Sequence, residues 1–163
     1  MTTATHVPGE LLFNQGALSS TLGVNFDDTG AGHFTCLIVV AGTGIPSTLY
    51  GGVTTIANVT ATNAEIAYSG YARQALTGIT WAALAGNTSI GWSFANITFP
   101  QEAADPGTGR YGIIGYLGPS GTYVDSAAPV VAVLDFGATV STVNGALVLQ
   151  CPSGGLIDYT GAG

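Results

Sequence analysis

Positive charge is scarce in this chain of 163 residues: there is no lysine, and its basic side chains are Arg73 and Arg110. Nine acidic side chains give a formal net charge of −7. A protein that binds nucleic acid needs lysine and arginine clustered on its surface to neutralise phosphates. The composition therefore argues against a nucleic-acid partner.

Charge of either sign is rare, since charged residues make up only 7% of the sequence. A free soluble domain typically carries about 25–35% charged residues on its surface. A surface with so few charges repels neighbouring molecules only weakly. We therefore expect this chain to be part of an assembly.

Long apolar runs are missing as well, although hydrophobic residues make up 47% of the sequence. The longest apolar stretches, residues 36–41 and 129–134, are far shorter than the ~20 residues that a membrane-spanning helix needs. The first residues contain no basic segment followed by an apolar run, so we expect no secretory signal. The sequence predicts no association with a membrane.

The two cysteines, Cys36 and Cys151, both lie in apolar, strand-like surroundings. We interpret them as small buried hydrophobic residues, with a disulfide between them as the open alternative. The sequence has no CxxC motif and no cluster of histidine and cysteine, so it predicts no zinc site. We expect neither a metal nor a cofactor.

Glycine is frequent, with 25 residues dispersed along the chain, which suits many turns between short strands. The predicted strands, rich in branched and aromatic residues, cover residues 33–40, 68–77 continuing to 81, 91–100, 110–117, 129–137 and 146–151. Residues 53–62 fit either a short helix or a strand, and residues 8–16, between proline and glycine, predict a short helix.

These elements indicate an all-β fold, an antiparallel β-sandwich of jelly-roll or immunoglobulin-like type with at most one or two short helices. We expect a single domain over residues 1–163, in which residues 1–32 form an extended or short-helical N-terminal arm. Within residues 91–100, Trp92 and Phe94 share one strand face while Ile97 falls on the other. That change of phase predicts a β-bulge near residues 95–96 or a strand buried on both sides.

Catalytic motifs are not apparent. The sequence has no GxSxG motif, and a general base would have to be His6 or His33. His33 directly precedes a strong strand, where a structural role at the sheet edge is the ordinary one. We therefore predict no catalytic residues and no enzymatic activity.

Most of the acidic residues fall in turns, where aspartates usually bind their own backbone. The clearest are Asp27, Asp28, Asp105 and Asp125. A weak calcium site that combines Asp27 and Asp28 with Asp125 is an alternative, but the chain has no DxDxDG loop.

Asp135 differs from these aspartates because it lies within an apolar strand and needs a donor if it is buried. The guanidinium of Arg73 or Arg110 is the expected partner. Among the aromatic residues, most of which we assign to the core, Tyr123 stands out because it lies in the predicted loop 118–128. An exposed aromatic ring of this kind is a candidate for stacking on a sugar.

Four segments in order, YSGYARQALT at 68–77, ANITFP at 95–100, RYGIIGYL at 110–117 and VVAVLDFG at 130–137, form a recognisable succession. With Trp81 after the first segment, this succession resembles small virion structural proteins of tailed bacteriophages. The resemblance covers about residues 50–150. It implies a component of the virion with no enzymatic role and no cofactor.

The resemblance implies, first, a capsid decoration (cement) protein that binds the outside of the major capsid protein shell and forms a homo-oligomer, expected to be a trimer. We expect such a protein at the virion surface. The alternative is an adhesin module on the tail or capsid that binds host glycans through loop aromatics such as Tyr123.

Overall fold

The computed structural model describes residues 11–13, 24–26, 28–40, 55–83, 89–102, 108–143, 145–151 and 157–160. These residues form ten strands and one short helix, and all pairings between the strands are antiparallel. The predicted all-β antiparallel character with few helices is confirmed. The division into one domain with an arm over residues 1–32 stays a prediction.

The elements follow one another along the chain as β1 Leu11–Phe13, β2 Phe34–Val39, α1 Ile56–Thr62, β3 Gln74–Ala75, β4 Thr80–Ala83, β5 Ser89–Ser93, β6 Ile97–Phe99, β7 Gly109–Tyr116, β8 Val130–Val140, β9 Leu147–Leu149 and β10 Ile157–Thr160. A five-stranded sheet has the order β1-β8-β7-β2-β3. A three-stranded sheet has the order β10-β5-β4, and β6 pairs with β9.

All six residues of β2 are buried, so apolar neighbours cover the strand on both faces. On one face, Phe34 and Cys36 belong to a core cluster that also contains Trp92 of β5. On the other face, Leu37 packs in a second cluster that includes Ile56 of α1. The five-stranded sheet therefore has apolar side chains packed against both of its faces.

The helix α1 begins at a capping box, which resolves the ambiguity of residues 53–62. The Thr55 hydroxyl accepts a hydrogen bond from the Asn58 backbone N–H, and the Asn58 side chain accepts one from the Thr55 N–H. The helix buries Ile56 and Val59. Among the described residues no helix is long and apolar enough to cross a membrane.

The hairpin of β7 and β8 departs from regular pairing near its two ends. Gly115 lies opposite Val130 and Ile114 opposite Ala132, so Val131 is an extra residue in β8. Towards the other end, the four residues 136–139 of β8 lie opposite a single residue of β7. They are called segment 136–139 below. Between β7 and β8 the chain forms loop 118–128.

The change of phase within residues 91–100 arises because the chain passes from one sheet to another. β5 ends at Ser93 and β6 begins at Ile97, and these strands belong to different sheets. Ala95 and Asn96 are both exposed between buried neighbours. The irregularity lies where the sequence predicted it, but it is a break between two strands instead of a bulge within one.

Two predicted elements differ from the structure. Leu11–Phe13 pair with β8 as a strand, so the helix expected over residues 8–16 is wrong in its described part, and the rest lies outside the described residues. Of the strand expected over residues 68–77, only Gln74–Ala75 is a strand. Before this strand the chain contacts β2 through a side chain, since the Tyr71 hydroxyl accepts a hydrogen bond from the Ile38 N–H.

Candidate interaction surface

Loop 118–128 carries the most exposed apolar side chains of the described part of the chain. Tyr123 is 42% exposed and Val124 is 66% exposed, and they are the exposed large hydrophobic residues found there. Within residues 119–127 the charged side chain is that of Asp125. The loop thus presents an apolar surface with almost no charge.

Backbone hydrogen bonds close this loop on itself. The Gly121 N–H donates to the Gly118 carbonyl at 3.0 Å, and the Tyr123 N–H donates to the Leu117 carbonyl at 2.9 Å. Further along, the Ala128 N–H donates to the Val124 carbonyl at 2.9 Å. These turns fix the backbone on both sides of the exposed side chains.

Arg73 ties the loop to the body of the protein. Its Nη1 and Nη2 atoms donate to the two carboxylate oxygens of Asp125 at 2.6 and 2.7 Å, a two-pronged contact. Its Nε and Nη2 atoms also bind the carboxylate of Glu65, with the shortest distance 2.7 Å. Hydrogen bonding to Asp125 and Glu65 raises the pKa of Arg73, and Arg73 lowers the pKa of Asp125.

Hydrogen bonds of Tyr71 connect this ion pair to the five-stranded sheet. The Tyr71 hydroxyl donates to Oε1 of Glu65 at 2.8 Å and accepts a hydrogen bond from the Ile38 N–H of β2 at 3.1 Å. Burial raises the pKa of Tyr71. A continuous chain of polar contacts therefore runs from β2 through Tyr71, Glu65 and Arg73 to the loop.

A second polar cluster supports the loop through Tyr116, the last residue of β7. Asp28 binds Nδ1 of His33 at 2.6 Å, accepts from the Tyr116 hydroxyl at 2.9 Å and accepts from the Gly30 N–H at 3.0 Å. The Leu117 N–H donates to the His33 carbonyl at 2.7 Å. The cluster fastens the turn before β2 to the start of the loop.

The ionisation of this second cluster follows from its contacts. Burial alone would raise the pKa of Asp28, but hydrogen bonds from Gly30, His33 and Tyr116 outweigh it and lower that pKa. Burial and the neighbouring Asp28 raise the pKa of Tyr116 to about 12. At neutral pH Asp28 is therefore a carboxylate that accepts hydrogen bonds, and Tyr116 is a neutral donor.

The Asp28–His33 pair resembles the part of a catalytic triad that orients the base. A triad also needs a nucleophile on the base, and no described hydroxyl or thiol group is hydrogen-bonded to His33. The nearby hydroxyls of Ser120 and Thr122 bind each other at 2.8 Å. The contacts present hold the turn in place, and the absence of enzymatic activity stays a prediction.

Asp135 pairs with Arg110, one of its two expected partners. Nη2 of Arg110 lies 2.8 Å from Oδ1 and 2.9 Å from Oδ2 of Asp135, and the Gly137 N–H also donates to Oδ1 at 2.8 Å. The alternative, a pair with Arg73, is wrong because Arg73 binds Glu65 and Asp125.

The calcium alternative finds no support in the described residues. Asp28 is bound to His33 and Tyr116, whereas Asp125 is bound to Arg73, so each carboxylate is engaged by partners of its own. Asp27, Asp105 and His6 lie outside the described residues. Nowhere in the described part of the chain do three or more side chains of metal-binding type form a group.

Cys36 and Cys151 are both free thiols, so the open alternative of a disulfide is not realised. Cys36 is fully buried in the core, as expected for a small hydrophobic residue, and burial raises its pKa to about 12. Cys151 is half-buried.

Comparison with known proteins finds no matching family model, no matching curated protein and no matching solved structure. The resemblance to virion proteins of tailed bacteriophages therefore stays a prediction from the sequence.

Proposed function

We propose that this chain is a virion structural protein of a tailed bacteriophage, and that it decorates the outside of the major capsid protein shell and stabilises it. The observation that carries this proposal is that both arginines of the chain are already paired with its own carboxylates. Arg73 and Arg110 are both held in ion pairs with carboxylates of the same chain. The exposed apolar residues Tyr123 and Val124 meanwhile lie on a loop that one of these arginines holds.

Such a surface suits permanent contact with another protein. Removing an ion from water on binding is costly unless the ion finds a partner. Because loop 118–128 has a single charged side chain, already paired with Arg73, a partner can cover the loop with little loss of ion solvation. Aromatic residues are enriched at the centre of protein interfaces, where Tyr123 would lie.

For the architecture we propose a β-sandwich, in which the five-stranded sheet packs against the smaller sheets. One core cluster unites Phe34 and Tyr116 of the large sheet with Trp92, Phe99 and Leu147 of the smaller ones. Inner faces that share a core in this way are the defining feature of a sandwich.

The partner, the oligomer and the location are parts of the same proposal. We infer the major capsid protein as the partner, a homotrimer as the assembly and the virion surface as the location. These rest on the resemblance of residues 50–150, together with the scarcity of charge. Closed symmetric assembly is the usual form of such oligomers.

An adhesin that binds host glycans is the second candidate, and one observation favours it. The ring of Tyr123 is partly exposed close in sequence to two exposed hydroxyl side chains, Ser120 and Thr122. Aromatic rings beside hydroxyl groups suit the apolar faces and polar rims of sugars.

Purified chain added to particles that lack it tests the proposal. We expect saturable binding and a higher temperature for the release of packaged DNA. Val124→Asp, which puts a charge on the loop, should weaken binding, while Thr139→Asp, at an exposed position of segment 136–139, serves as the matched control. Failure of the chain to bind particles, together with glycan binding that Tyr123→Ala removes, would favour the adhesin.

A further inference from the structure

The ring of Tyr123 has one covered face. A β-carbon placed on Gly118 would lie 2.5 Å from Cε1, 2.6 Å from Cζ and 2.7 Å from Cδ1 of that ring. A point almost equally close to three consecutive ring atoms lies above the ring face, because a point beyond the ring edge would be much farther from the outer two. The backbone of Gly118 therefore covers one face of the ring.

The exposed part of the ring lies outside its contact with Gly118. Tyr116 meets Tyr123 in an edge arrangement, with ring centroids 6.4 Å apart and an angle of 74° between the planes. With Gly118 against one face, the 42% exposure of Tyr123 belongs to surface outside that contact. The protein thus presents an aromatic ring whose position is fixed before any partner arrives, which lowers the entropic cost of binding.

The ion pairs that hold loop 118–128 and the neighbouring residue Tyr116 carry a net negative charge. Arg73, Glu65 and Asp125 together carry a net charge of −1, and Asp125 lies two residues from Tyr123. Asp28 adds a carboxylate that is hydrogen-bonded to Tyr116, whose ring contacts Tyr123. The face of an aromatic ring is itself electronegative, so a cation is the favoured occupant.

The cation must come from another molecule. Both arginines of this chain are occupied by carboxylates, and the sequence has no lysine. A chain with a net charge of −7 also attracts a basic partner over a distance. These observations favour a basic protein segment over a neutral sugar.

We propose that the exposed part of the Tyr123 ring binds an arginine side chain of the partner protein, with the guanidinium stacked on the ring. Arginine suits the position better than lysine because its guanidinium is planar and weakly hydrated. Val124, 66% exposed beside it, offers an apolar contact for the methylene groups of the arginine. This inference rests on the proposed function, since it specifies the group by which the partner meets loop 118–128.

Two peptides test the proposal: one carries four arginines separated by serines, and the other has lysine in place of each arginine. Each is titrated at low salt against the wild-type chain, Tyr123→Phe and Tyr123→Leu, where leucine keeps apolar bulk without an aromatic face. We expect Tyr123→Leu to weaken binding of the arginine peptide about two- to five-fold, as an exposed cation–π contact predicts. Tyr123→Phe should bind like the wild type, and the lysine peptide should bind less tightly and depend less on Tyr123.

Equal binding of the arginine peptide by wild type and Tyr123→Leu would overturn the proposal, as would no binding at all. So would binding of a neutral hexasaccharide of N-acetylglucosamine that Tyr123→Leu abolishes, if arginine-peptide binding does not depend on Tyr123; the site would then be a glycan site. Thermal unfolding of each variant checks that the fold is intact. None of these results changes how many copies of the chain a virion contains, so the proposed function is tested separately.

Discussion

Loop 118–128 and segment 136–139 both interrupt the regular pairing of β7 with β8, and contacts of the same kinds hold the two regions. Each is held by an arginine–aspartate pair, Arg73 with Asp125 and Arg110 with Asp135. Each also has a glycine with positive φ, 79° at Gly118 and 70° at Gly137. In both regions an ion pair and a glycine at positive φ thus lie where the chain leaves the regular pairing of β7 with β8.

The two regions differ in what surrounds these shared features. Arg73 binds two carboxylates, whereas Arg110 binds one and lies 5.6 Å from the ring centroid of Tyr111. A β-carbon at Gly118 would strike the ring of Tyr123, whereas one at Gly137 would meet nothing within 4 Å. The two regions share the ion pair and the glycine, but in loop 118–128 the glycine also packs against an aromatic ring, that of Tyr123.

The largest expected effect comes from removing the arginines one at a time. Arg73→Ala leaves Glu65 and Asp125 facing each other without a cation, and both are partly buried. We expect a loss of about 2 kcal/mol in the free energy of unfolding, between the values for exposed and for buried pairs. Arg110→Ala should cost about 1 kcal/mol or less, because one carboxylate is left unpaired.

Urea unfolding of the two variants measures this difference. Hydrogen exchange adds a local test, since Arg73→Ala should speed exchange of the Tyr123 and Ala128 amides and Arg110→Ala should not. Equal losses in the two variants would show that the second carboxylate on Arg73 contributes nothing.

A matched pair of glycine substitutions separates backbone strain from the contact with the ring. Gly118→Ala and Gly137→Ala both place a β-carbon at positive φ, which costs about 1–2 kcal/mol. Gly118→Ala must in addition displace the ring of Tyr123, so we expect it to cost about 1 kcal/mol more. Thermal unfolding checks the order, and equal melting temperatures would contradict the packing of Tyr123 on Gly118.

The smallest expected effect is the dependence of stability on pH. The pKa values of Asp28 and Asp125 are lowered in the folded protein, so the folded state binds fewer protons than the unfolded state in acid. Their contribution is fully present above the ordinary aspartate pKa of about 3.9 and is lost as the pH falls through the folded values.

Asp28→Asn tests that pH dependence directly. Between about pH 5 and pH 2 we expect the free energy of unfolding to fall less steeply in this variant, because it lacks one carboxyl group whose pKa is lowered in the folded state. Urea unfolding across this range measures the slope. An unchanged slope would contradict a carboxylate at Asp28 stabilised by His33 and Tyr116.

The sequence predicted the long strands well because their aromatic and aliphatic residues strongly favour a buried strand. Phe34–Val39 is a run of six buried residues, mostly aromatic or aliphatic, and its bounds fall within the predicted residues 33–40. The prediction of a strand before Gln74 was wrong because a side chain takes the place of a paired strand there. The backbone N–H of Ile38 in β2 donates to the Tyr71 hydroxyl, whereas in a paired strand it would donate to a backbone carbonyl. The strand propensity of the sequence cannot reveal that a side-chain hydroxyl takes the place of a backbone carbonyl.

The candidate site was predicted in part. Tyr123 was identified from its place in a loop, and Arg110 was one of the two partners considered for Asp135. The contact of Arg73 with Asp125 spans 52 positions, and no local pattern links these residues. Glu65 and Tyr71 were missed for the same reason, and Arg73 was expected only as a partner of Asp135.

The number of copies of this chain in purified virions, measured by quantitative mass spectrometry against the major capsid protein, tests the central proposal most directly. A decoration protein must repeat with the symmetry of the shell, so the account predicts a number equal to that of the capsid protein or a simple fraction of it. A number that fits only the tail would favour the adhesin. Absence of the chain from virions would contradict a role as a virion structural protein.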